Sequence, residues 1–219
     1  MATALGLVAG VCAGYLVQAG RAPTEPPPLA GSVPTRSGAD GAEPLSAAQD
    51  RRVGTDGDLR KLLLRRPSGA TEAEWLTGTD GWLDLGAYAG NADNPGWVFG
   101  DLTDQEFRRA AVTGWETDDG TVEVQLVQFR QEESVAAADF GSGSQLHFGD
   151  GVKSLPIPGT GDGRVYWDTR PSPVPGDWPY SAEAHAWRGD IAMEIWVCSD
   201  EPISGKTVLE LAERQMERL

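Results

Sequence analysis

Cysteine, histidine and positive charge are the scarce features of this sequence. Of its two cysteines, Cys12 lies in an apolar N-terminal segment and Cys198 stands alone in the rest of the chain. A disulfide within the folded body is thereby excluded, and cysteine usage does not identify the redox compartment. The two histidines, His147 and His185, fall in no metal-ligand spacing, and neither has a cysteine beside it. His185 sits in a strand pattern and reads as structural. A Gly-x-Ser-x-Gly elbow is missing, so a hydrolase triad has no support. From these absences no catalytic residue, metal ligand or cofactor site is expected.

Lys and Arg number 18 against 33 Asp and Glu, a formal charge of −15. Such a surface repels phosphate backbones, which argues against nucleic acid as a partner. Between Pro67 and Phe107 there is no basic residue, while Glu72, Glu74, Asp80, Asp84, Asp93, Asp101, Asp104 and Glu106 are acidic. Just before this tract, Arg51, Arg52, Arg60, Lys61, Arg65 and Arg66 form a basic stretch. It reads as a short basic helix over 51–66, docked on its own acidic body; contact with anionic headgroups is the functional alternative.

What is present begins with an apolar run. Residues 4–19, ALGLVAGVCAGYLVQA, are uncharged and lie near the lower limit of length for a spanning helix. A retained anchor competes with a signal peptide cleaved after Val17-Gln18-Ala19 and with a lipoprotein signal at Cys12. Arg21 follows the segment and no basic residue precedes it, the reverse of what the positive-inside rule wants for export. A start site set too far downstream would account for this. Residues 21–50 carry Pro23, Pro26, Pro27, Pro28, Pro34 and Pro44 among small and polar residues. That composition builds no core and favours an extended, semi-rigid stalk. The expected organisation is a transmembrane or signal segment (1–20), a Pro-rich linker (21–50), the basic helix (51–66) and an extracytoplasmic domain (67–219).

In the body, Tyr180–Trp187 and Ile191–Cys198 predict a hairpin turning at Arg188-Gly189-Asp190. Ile191, Met193, Ile195 and Val197 alternate with Glu194 and Trp196, the pattern of a strand with one buried face. The Arg-Gly-Asp tripeptide at a hairpin turn carries no weight as an adhesion motif. Ala111–Trp115 and Thr121–Arg130 predict a second hairpin, and Arg164–Asp168 a short strand. Ser204 caps a helix with an apolar stripe through Val208, Leu211, Ala212 and Met216, stapled by Ile203. Thr103 with Glu106 predicts another helix start, running through Phe107 and Ala110. Gln131–Ala138 predicts a helix ended by Gly141-Ser142-Gly143. Hairpins with a few helices define an α+β domain with an antiparallel sheet and flanking helices.

Gly205-Lys206-Thr207 stands where a P-loop would, but Asp200 and Pro202 occupy the phosphate cradle, so the capped-helix reading wins. Gly159–Gly163 reads as a flexible loop rather than an anion nest. The pairs Asp80/Asp84 and Asp101/Asp104 match no calcium loop and read as solvated. Trp75, Trp82, Tyr88 and Trp97, interleaved with acids, are the best candidates for a binding face; the near edge of the core is the alternative.

The chain resembles a group of functionally uncharacterised actinobacterial membrane-anchored proteins. The likeness rests on Gly14-Tyr15-Leu16-Val17-Gln18, the Pro-rich stalk, residues 47–52 and 58–64, and the C-terminal hairpin and helix. The last two strands and helix also look like extracytoplasmic sensor and lipoprotein domains, such as the PknH sensor or LpqN-like proteins. That second likeness implies a fold and no catalytic residues, and the paired cysteines of PknH-type sensors are missing. Together these readings imply a single-pass cell-membrane protein whose extracytoplasmic domain binds a protein or a small envelope ligand. A cell-envelope hydrolase and a structural accessory of a membrane complex are the competing classes.

Overall fold

A computed structural model describes residues 57–130, 135–144, 152–174, 176 and 178–219, which belong to one unit, Pro44–Leu219. The apolar segment, the Pro-rich linker, His147 and the first half of the basic stretch lie outside these residues. Among the described residues no helix is long and apolar enough to cross a membrane.

The strands are β1 (Thr71–Glu72), β2 (Trp82–Leu83), β3 (Phe107–Thr117), β4 (Gly120–Phe129), β5 (Lys153–Pro156), β6 (Arg164–Trp167), β7 (Tyr180–Arg188) and β8 (Ile191–Ser199). They form one sheet of order β1-β3-β4-β8-β7-β6-β5, with β2 also on β3, and every pairing is antiparallel. The helices are α1 (Leu85–Gly90), α2 (Pro95–Asp104), α3 (Ala136–Ser144) and α4 (Gly205–Met216), and a 3-10 turn covers Leu59–Leu62. The fold is α+β, an antiparallel sheet of hairpins with flanking helices.

Alternation along the central strands divides the sheet into two unlike faces. Ile191, Met193, Ile195 and Val197 of β8 lie beside Val122, Val124 and Leu126 of β4 and Ala182, Ala184 and Ala186 of β7. Onto this face α4 lays Val208, Leu211, Ala212 and Met216, and the 3-10 turn adds Leu59. Each fully buried aliphatic side chain contributes about 1.5–3 kcal/mol, so this first core carries most of the fold. The opposite face is split. Near the β7–β8 turn, Val112, Val127, Phe129, Trp187 and Ala192 pack with Leu102 of α2 and Ala136 and Ala137 of α3. Farther along the same strands the side chains turn polar, and there the candidate site lies.

Several local expectations change. Phe107–Ala110 is strand, and Thr103 closes α2 instead of opening a helix: its hydroxyl donates to the Phe99 carbonyl at 2.7 Å. The cap of α2 is Asn94, which accepts from the Trp97 amide, with Pro95 supplying the first-turn φ. The glycine run lies inside α3, because a Cβ at Gly141 would stand 2.7 Å from the Trp187 ring. At α4 Ser204 makes no side-chain capping bond, while Ile203 and Val208 are both buried as the staple requires. Gly205 leaves room for Trp167, whose ring would meet a Cβ there at 2.6 Å. Gly159–Gly163 is a defined turn, with Thr160 Oγ1 donating to the Ile157 carbonyl and accepting from the Gly163 amide. Asp190 is fully buried, accepting from Gln128 Nε2 at 2.6 Å, so the Arg-Gly-Asp turn presents no carboxylate.

Of the basic stretch, the described part forms one 3-10 turn and then an extended strap. Gln215 of α4, fully buried, accepts from the Leu64 amide at 2.9 Å and donates to the Leu62 carbonyl at 2.8 Å. Arg218 adds a second donor to the same carbonyl at 2.9 Å. Replacing Gln215 with leucine leaves the Leu64 amide unsatisfied, and a loss of about 1–3 kcal/mol is expected. A lower urea midpoint at unchanged m value, with faster amide exchange at Leu64, is the predicted readout.

Candidate functional site

Register brings together residues that lie far apart in sequence. Glu123 on β4 stands opposite Trp196 on β8, which stands opposite Glu183 on β7. One step along, Gln125, Glu194 and His185 form a second row, and Thr121, Cys198 and Ser181 a third. These rows share the polar half of the second sheet face.

In this half lies a charge cluster of buried His185 and Glu194 with half-buried Glu183. His185 Nε2 donates to Glu183 Oε2 at 3.0 Å, and Nδ1 lies 3.6 Å from Glu194 Oε1, an ion-pair contact too long for a hydrogen bond. The Tyr88 hydroxyl, carried in from α1, donates to Glu194 Oε2 at 2.5 Å. Burial is the largest single influence on His185 and lowers its pKa. The hydrogen bond to Glu183 and the charges of Glu194 and Glu183 together outweigh it and raise the value to about 9. The imidazole is therefore a cation at neutral pH, held between carboxylates. Tyr88 is pushed well above the usual phenol range, first by burial and then by the Glu194 charge, so it remains a neutral donor.

Above the cluster is a cavity of about 810 Å³, within the common range for small-molecule sites. Trp75, Tyr88, Trp178 and Trp196 supply aromatic wall, and Thr121, Glu123, Gln125 and Cys198 come from the sheet. Glu116 stands on the β3 side. Trp196 links the two layers, its ring edge-on to His185 at 6.3 Å and 89°. Burial pushes the Glu123 carboxyl up, a donated bond from Gln125 Nε2 at 2.5 Å opposes this, and the Glu194 charge adds to the rise. Burial likewise raises the Cys198 thiol, with the Glu183 charge behind it, which keeps it protonated and a poor nucleophile.

Of the four aromatics singled out by sequence, Trp75 and Tyr88 meet in this cavity. Trp82 does not: it packs on the first core, with the guanidinium groups of Arg60 and Arg109 at 5.0 and 5.7 Å from its ring centre. Trp97 is 62% exposed on α2, near Phe99. Asp84 caps α1 through the Ala87 amide, and Asp101 accepts from Gln105, so both have local structural roles. No group of three metal-ligating side chains occurs among the described residues. Sequence reasoning missed Trp178, Glu123, Gln125 and the His185 cluster, and took Trp196 only as the far face of a strand. The available signal was the polar alternation in Glu123-x-Gln125, Glu183-x-His185 and Glu194-x-Trp196. No protein-family model, curated protein or solved structure matches the chain.

Proposed function

We propose that this chain is a membrane-tethered extracytoplasmic domain that binds a small organic ligand in the cavity over Glu123 and Trp196. The observation that carries the reading is that concave, aromatic-walled cavity, built on the sheet strands and supported from below by the His185–Glu194–Glu183 ion cluster. A largely buried cluster of this kind is costly to desolvate and contributes little net stability, while a rigid polar base is what an oriented ligand site needs. The concave shape favours a small molecule over the flat contact typical of a protein partner. The tether rests on the apolar segment at 4–19 and the Pro-rich stalk. It fits the docking of residues 59–64 on the first core, the sheet face opposite the cavity.

A thermal-shift panel of small aromatic cations, anions and neutral compounds tests the binding reading on the full chain in non-ionic detergent. At a concentration about 100-fold above Kd, a ligand adds about 2.7 kcal/mol, or roughly 5–10 °C for a domain of this size. At least one class should reach this in the wild type and lose it in Ala92→Trp, where the new ring fills the cavity. A panel without any shift, or one equal in both proteins, contradicts the proposal.

A further inference from the structure

The geometry points to an organic cation, a primary ammonium on an aromatic or apolar body, as the ligand class of this cavity. This inference rests on the proposed binding function and adds the charge of the ligand. Three independent features support it.

The first is the sign of the lining. Glu116 and Glu123 line the cavity, and among the described residues no Lys, Arg or His does. Neither carboxylate has an ion-pair partner among the described residues. His185 is spent on Glu183 and Glu194 below, and the sheet residues Arg164 and Arg109 are engaged elsewhere: Arg164 donates to Ser154, and Arg109 to Gln128. An anionic ligand would meet two carboxylates with no compensating charge.

Aromatic surface is the second. Trp75, Trp178, Trp196 and Tyr88 surround the same space, and indole faces attract ammonium groups through their quadrupole while accepting an apolar body. Trp75 and Trp178 are the exposed members, at 46% and 40%.

The third is an unmet acceptor. Gln125 is 4% exposed, and while its Nε2 donates to Glu123, its Oε1 has no hydrogen-bond partner. A buried acceptor left unpaired costs free energy. The Oε1 is closed to solvent, so an ammonium at the Glu123 end of the cavity meets the carboxylate directly and reaches the amide oxygen once the Gln125 side chain turns toward it. The upward push of burial on Glu123 agrees, since a bound cation removes the penalty on its charged form.

Isothermal titration of the full chain with phenethylamine, phenethyl alcohol and 3-phenylpropanoate separates the ideas. Phenethylamine is expected to bind at least about tenfold more tightly than the alcohol, with the carboxylate weakest. Glu123→Gln should erase that preference by weakening the amine about tenfold while leaving the alcohol unchanged. Glu116→Gln, farther from the packed interior, provides the same comparison if Glu123→Gln fails to fold, with a smaller loss and a weaker salt dependence. Equal binding of amine and alcohol, or preference for the carboxylate, overturns the cation inference and leaves the binding function standing. No binding of any of the three, together with a blank thermal-shift panel, overturns both.

Discussion

Replacing His185 with alanine is expected to destabilise the domain by about 3–5 kcal/mol at pH 7, because Glu183 and Glu194 lose the cation between them. For a chain of this size that lowers the melting midpoint by roughly 10 °C. The effect has a pH signature that simple loss of packing lacks. The folded pKa of His185 is raised from 6.5 to about 9, so its stabilisation is fully present below pH 6.5 and is lost as pH rises through about 9. The linked contribution is about 3 kcal/mol. Wild-type stability should therefore fall between pH 6.5 and 9 by an amount that His185→Ala does not show. His185→Gln, which keeps a donor without the charge, should be pH-flat over the same window. The groups facing the imidazole are Glu183, Glu194 and the Tyr166 ring, and Arg164 is its register partner on β6. Urea titrations at half-unit pH steps measure the difference. Parallel curves for wild type and His185→Ala would show that the imidazole is neutral in the fold.

Phe129→Ala should cost a comparable amount, about 3–5 kcal/mol, for a different reason. Phe129 is fully buried and packs on Phe140 of α3 with ring centres 5.4 Å apart. Phe140 in turn meets Tyr88 edge-on at 6.2 Å. Removing the ring opens a void in the second core and loosens the contact that seats Tyr88 over Glu194. Two readouts follow: a lower denaturation midpoint and faster exchange of the α1 amides. Phe129→Leu should recover part of the stability, since it keeps an apolar side chain and leaves a smaller void than alanine. A loss below about 1 kcal/mol for the alanine variant would mean that the second core is not packed as described.

The central strands were legible because their chemistry is periodic. The alternation of Ile191, Met193, Ile195 and Val197 with Glu194 and Trp196 is enforced by one face packing on α4, so hairpin, turn and helix follow from local pattern. The helix start near Thr103 was misplaced because a capping-box pattern is also satisfied by chance. Asn94-Pro95, upstream in the chain, supplies a better cap and first turn. Gly141 was read as a helix end because its reason for being glycine is tertiary contact with Trp187.

The site was less legible for the same kind of reason. Glu123, Glu183 and Glu194 come together only once β4, β8 and β7 are set in register; the turn after Arg188 fixes β7 against β8 locally, while nothing local in the sequence fixes β4 against β8. Trp75, Trp82, Tyr88 and Trp97 form one acidic-aromatic tract in the chain. The fold divides them, because the pairing of Trp82 with Ala111 directs it to the first core while α1 carries Tyr88 to the opposite face. Aromatic composition signalled a binding surface without saying which rings would share it.

Hydrogen exchange on the full chain, with and without saturating phenethylamine, tests the ligand cavity most directly. The account predicts slowed exchange at residues 75–77, 88–92, 120–125 and 196–198, with the α4 amides and the 59–64 strap unchanged. Protection confined to the exposed Trp97–Phe99 surface of α2, or absent from β4 and β8, would contradict it.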